Sequence, residues 1–109
     1  MAFKTTALRY LGGISGHGVV TQNGAKIAPA TFDFDGYFRA AAGVTACGEI
    51  QMPADVLKSL FGRSDLQLVT DQGRLLDLSF SDPASPPAGD VAHVDVSGEL
   101  PTAPGDWRH

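Results

Sequence analysis

Between Asp65 and Ser81 apolar and polar residues alternate twice, once up to Thr70 and again from Arg74, with Asp71-Gln72-Gly73 in between. A period of two is the signature of a half-buried β-strand. A three-residue loop with glycine at its left-handed position is a common hairpin connection. Pairing Thr70 with Arg74 predicts Leu68 opposite Leu76 and Leu66 opposite Leu78. These leucines and Phe80 then share one face, and Gln67, Asp77 and Ser79 share the other. Two strands cannot keep such a face dry, so the pattern demands further strands or a helix over it.

The same alternation recurs along the chain. After Pro29, Ala30, Phe32, Phe34, Gly36 and Phe38 fall on one side of a strand, and Thr31, Asp33, Asp35, Tyr37 and Arg39 on the other, with Gly36 marking a bulge or bend. Upstream, Val19–Gln22 and Ala25–Ala28 flank Asn23-Gly24, which predicts a type I′ hairpin with Gln22 opposite Ala25 and Val20 opposite Ile27. Ala40–Val44 turns the chain and Thr45–Met52 reads as a strand. So does the stretch in which Ala92, Val94, Val96 and Leu100 alternate with His93, Asp95, Ser97 and Glu99. Residues 2–11 fit a strand better than a helix. Helical spacing occurs in the stretch after Pro53, where Val56 pairs with Leu60 and Leu57 with Phe61 at i,i+4, and Gly62 follows as a stop. Two turns of helix are not stable alone, so this one must lie on the sheet.

The expected architecture is therefore mainly β: a small antiparallel β-barrel or rolled sheet of about six strands with one short helix, residues 54–61. Residues 1–100 form a single domain, within which 82–90, with three prolines and no apolar anchor, is a connecting loop expected to be mobile. Residues 101–109 read as a mobile C-terminal tail, with Trp107 as its one large apolar residue; it either folds back or meets another chain.

Composition narrows the function. The 109 residues suffice for one domain. A formal net charge of −4, with eight basic residues scattered singly, argues against a nucleic-acid or membrane-surface partner. No apolar run approaches a membrane span or a secretory h-region, and a single cysteine fits a reducing compartment, so a soluble, cytoplasmic protein is expected. Cys47 is expected to be buried and inert.

Candidate chemistry is sparse. Gly12–Gly18 holds four glycines in seven residues, but it lacks the Gly-Lys-Ser/Thr ending of a phosphate loop and precedes a strand; it reads as a flexible turn that lets strands cross closely. His93, Asp95 and Ser97 have the composition of a triad, yet same-face strand neighbours stand roughly 6.6–6.8 Å apart and do not converge. Asp33 and Asp35, with His17 and Arg39, are the one set that a barrel mouth could gather to bind a ligand or do acid–base work. No catalytic residue, cofactor or metal is assigned, and the three histidines lack ligand spacing. The reading that follows is a small non-enzymatic binding or protein-interaction module. It is expected to be a homodimer or to bind another protein, with Trp107 as an interaction residue. The competing reading is a small barrel enzyme or ligand-binding protein using His17, Asp33, Asp35 and Arg39.

Overall fold

The computed structural model describes residues 9–40, 43–82, 84–102 and 104–108. Residues 2–8 of the expected first strand, 41–42 of the expected turn, Pro83 of the connector and His109 lie outside them. The elements are β1 (Arg9–Gln22), β2 (Ala25–Arg39), β3 (Gly43–Gln51), α1 (Ala54–Leu60), β4 (Leu66–Thr70), β5 (Leu75–Phe80) and β6 (Val91–Gly98), followed by a 3-10 turn, Pro104–Asp106. The strands close into an antiparallel six-stranded barrel in the order β1-β2-β3-β6-β5-β4. β6 inserts between β3 and β5, and β4 closes onto β1.

The β4–β5 hairpin has the register its alternation dictates. Leu66 faces Leu78, Leu68 faces Leu76, and the Thr70 N–H donates to the Arg74 carbonyl at 2.9 Å. Gly73 takes φ 86°, which a residue with a Cβ resists. All four leucines are buried, each contributing roughly 1.5–3 kcal/mol of transfer free energy, and Phe80 is half-buried at the end of the same face.

The β1–β2 hairpin turns at Asn23 (φ 51°) and Gly24 (φ 83°), with Gln22 opposite Ala25. One residue further on it departs from expectation: Val20 lies opposite Ala28, not Ile27, because Ile27 is an extra residue in a β-bulge and is left 37% exposed. The physical reason is parity. Val20 points into the core, and pairing it with Ile27 would have turned the odd-numbered residues of β2, Asp33 and Asp35 among them, inward. The bulge restores Ala30, Phe32 and Phe34 to the inside, where all three are buried. A second bulge places Leu11 as the extra residue of β1, so the irregularity expected at Gly36 sits across the ladder from it. Phe38, at the rim of the inner face, is 40% exposed.

Helix α1 closes one end of the barrel. Leu57 and Leu60 pack toward Val20, Ile50, Leu66, Leu78 and Val94, leaving only about 10 Å³ between them. Phe61 stacks edge-on against Phe80 at 5.3 Å. The helix stops one residue earlier than expected, since Phe61 and Gly62 form a type II turn closed by the Arg63 N–H on the Leu60 carbonyl at 3.1 Å.

The opposite end is covered by described residues of the C-terminal segment, which dock on the barrel through Trp107 and Arg108. Pro101 and Trp107 are buried, the Trp107 indole N–H donates to the Pro101 carbonyl at 3.1 Å, and Arg108 bridges to Gly13. The Gly12–Gly18 stretch is likewise not a turn, because β1 runs through it. The close approach expected there is real, since a side chain on Gly12 would meet the Arg108 carbonyl and Trp107. The described residues of the 82–90 connector are exposed apart from half-buried Pro87. No helix among the described residues is long and apolar enough to cross a membrane.

Candidate functional site

The barrel interior is filled by side chains, so any site must lie on its surface. At the end opposite α1, β4 stops at Thr70 while β1 continues toward Arg9, and the side of β1 that β4 vacates borders an open cleft of about 370 Å³. That is a common size for a binding pocket. Its wall is β1 from Ile14 to His17 and its floor includes Phe32. One rim is the β4–β5 loop (Asp71, Gln72, Arg74), and the other is the tail (Pro101, Asp106, Arg108).

Backbone polarity gives this cleft its character. Along an antiparallel strand the N–H and C=O of every second residue point the same way. On β1 the groups of Gly13 are taken by Arg108: the Gly13 N–H donates to the Arg108 carbonyl at 2.6 Å, and the Arg108 N–H donates to the Gly13 carbonyl at 2.9 Å. The His17 carbonyl accepts from the Asp71 N–H at 3.0 Å. Ser15 lies midway between these anchors and, by the same alternation, aims its N–H and C=O into the cleft. The side chains around it carry both signs, with Arg74 and Arg108 balanced against Asp71 and Asp106. Arg74 is held in place by Nη1 donating to the Glu99 carbonyl at 3.2 Å and by its own N–H on Thr70 Oγ1 at 3.1 Å.

The four residues singled out for a barrel mouth are not gathered at one. His17 lines the cleft, whereas Asp33 and Asp35 point outward from the wall of β2. Arg39 is six residues beyond Asp33 on the same strand, roughly 20 Å away at about 3.3 Å per residue. Asp33 and Asp35 belong instead to an acidic outer surface. Across the strands Asp33 lies beside Glu49 and Glu49 beside His93, while Asp35 lies beside Cys47 and Cys47 beside Asp95. The His93–Glu49 contact at 3.5 Å is solvent-exposed and contributes at most about 1 kcal/mol. Asp95 accepts from Ser81 Oγ at 2.9 Å, and Asp35 accepts from the Tyr10 hydroxyl at 3.0 Å. That hydrogen bond, followed by slight desolvation and nearby charge, raises the Tyr10 pKa. Among the described residues no His, Cys, Asp or Glu side chains gather as a set able to hold a metal ion.

Burial decides two further expectations. Cys47 is exposed, because the parity that buries Ala46 and Ile50 turns it outward. Burial of its surroundings pushes the thiol pKa up, and the Asp95 and Asp35 carboxylates act in the same direction, so the thiolate is disfavoured. Trp107, expected either to fold back or to meet another chain, folds back and is 3% exposed inside its own chain. Of the cleft residues, sequence reasoning found His17 and missed Ser15, Asp71, Arg74, Asp106 and Arg108. The signal that was available is modest: a polar hairpin loop, and a charged residue on either side of a lone tryptophan. No family model matches this chain, and no curated protein or solved structure matches it either.

Proposed function

We propose that this protein is a non-enzymatic protein-interaction module that takes an extended segment of a partner polypeptide along the vacated edge of β1. The observation that carries the reading is the Gly13–Arg108 bridge. This edge is already paired through two hydrogen bonds with a piece of non-strand chain, and Ser15, the next position on the same edge, offers a further donor and acceptor to the cleft. Strand addition supplies affinity through main-chain bonds and selectivity through flanking side chains. The balanced charges of the rim suit a mixed polypeptide better than a phosphate backbone. Asp33, Asp35 and Arg39 do not line this cleft, so the strand-addition reading does not draw on them.

Selection of a phage-displayed random peptide library on the full chain tests this, with Ser15→Pro as the control. Proline removes the outward N–H but no bond of the β1–β2 ladder, since Ser15 turns away from its partner Asp33. Enriched peptides should bind the native chain and lose at least tenfold in affinity for Ser15→Pro. An absence of enrichment, or equal binding to both chains, would overturn the proposal.

A further inference from the structure

We infer that the cleft receives the carboxyl-terminal end of a partner polypeptide, its carboxylate on the Arg74 guanidinium and its last amide N–H on the Ser15 carbonyl. This deepens the strand-addition reading and rests on it, since it names the part of the partner that the β1 edge takes.

The open edge is too short for a strand that runs on past it. Gly13 and His17 stand about 13 Å apart at about 3.3 Å per residue. Both are already engaged, Gly13 by its two bonds with Arg108 and His17 by the Asp71 N–H. A strand passing through would have to break these three hydrogen bonds, whereas a chain that ends beside Ser15 breaks none. Charge then decides which end of a chain fits. Arg74 is half-buried, and Nη1 donates to a neutral acceptor, the Glu99 carbonyl. Among the described residues the rest of that guanidinium has no hydrogen-bond partner and no counter-charge. A partly buried cation in this condition gains most from an anion, and the guanidinium fork matches a carboxylate with two parallel bonds. Asp71 and Asp106 are the groups that could take an amino end instead. Both are exposed, so water already satisfies them and a further ion pair adds little. Ile14, Phe32 and Pro101 border the same cleft and give the last side chain an apolar surface to rest on.

A random peptide library displayed with free carboxyl termini, selected on the full chain, supplies the probes. Each enriched peptide is made as the free acid and as the C-terminal amide. The acid should bind the native chain at least about tenfold more tightly than the amide. In Arg74→Gln that ratio should fall to about one, while Ser15→Pro should weaken acid and amide alike. Equal affinity of acid and amide for the native chain overturns the inference, and so does an acid preference that Arg74→Gln leaves intact. Loss of binding on acetylating the amino end, with amidation harmless, assigns the cleft to the opposite terminus and overturns it too. The N-acetylated last residue binding as tightly as the whole peptide makes the ligand a small carboxylate and not a polypeptide end. Should Arg74→Gln fail to fold, the isotope-labelled native chain decides: the Arg74 guanidinium resonances should shift with the acid and stay in place with the amide. No shift with the acid overturns the inference. Equal binding of acid and amide, where Ser15→Pro still abolishes both, removes the chain end and leaves the strand-addition reading standing. Peptides that bind Ser15→Pro as well as the native chain remove that reading itself, and an empty selection removes both.

Discussion

The indole ring of Trp107 occupies the place where a side chain on Gly36 would begin. Gly36→Ala should therefore overpack the seat and cost about 1–3 kcal/mol, and Trp107→Ala should cost about 3–5 kcal/mol by emptying it. The two losses should not add, because each destroys the same fit. Urea melts of the two single variants and the double variant measure this. Costs that sum to within about 0.5 kcal/mol would show that the two positions act independently.

The two faces of the central hairpin should respond differently to truncation. Leu78 is buried opposite Leu66, so Leu78→Ala should lose roughly 2–5 kcal/mol. Asp77 is exposed, its carboxylate accepting from Gln67 Nε2 at 2.9 Å, and Asp77→Ala should lose well under about 1 kcal/mol. Equal, small losses in denaturant melts would contradict the observed register.

The turn of that hairpin depends on Gly73. At φ 86° a β-branched side chain is strained, so Gly73→Val should cost more than the roughly 1 kcal/mol expected from glycine propensity alone. No atom lies within 4 Å of where the new Cβ would stand, so a thermal melt reports chiefly the backbone term.

Cys47 should alkylate slowly for an exposed thiol. Its raised pKa means that at any given pH below that value a smaller fraction is thiolate than for an ordinary cysteine, so the curve of iodoacetamide rate against pH should lie displaced to higher pH. Asp95→Asn removes one of the carboxylates opposing ionisation and should move the curve back toward lower pH. A native curve at or below the ordinary thiol position would contradict the environment described.

Strand existence and the register of β4–β5 were legible because alternation and turn chemistry agree there: leucines on every second position and a glycine where positive φ is needed. The register of β1–β2 was legible only at its turn. Asn23-Gly24 defines the pairing of Gln22 with Ala25, but the bulge at Ile27 answers to the phenylalanines downstream, which must face the core that Val20 faces. The strand through Gly12–Gly18 is not legible because glycines have no side chains with which to show alternation. Where Trp107 docks is not legible because its partners, Gly12 and Gly36, are absences of side chain some seventy and more residues away. The cleft was legible at His17 alone. Ser15 takes part through its backbone, which any residue type carries, and the rim comes from a loop and a tail that local patterning does not connect.

The position of β6 has a consequence for how the chain is made. Without its last strand the order of the others is β3-β2-β1-β4-β5, an open sheet with β3 and β5 as bare edges. A nascent chain can reach no more than that open sheet until Val91–Gly98 has emerged and taken its place between them. During this interval Leu76 and Leu78 on one edge and Ala46 and Ile50 on the other lack the cover of Val94 and Val96. Closure is a late, non-local event, slow in the way that long-range strand pairing is slow. Glu49 and Asp77, exposed on the two waiting edges, place a negative charge on each and disfavour premature pairing between growing chains.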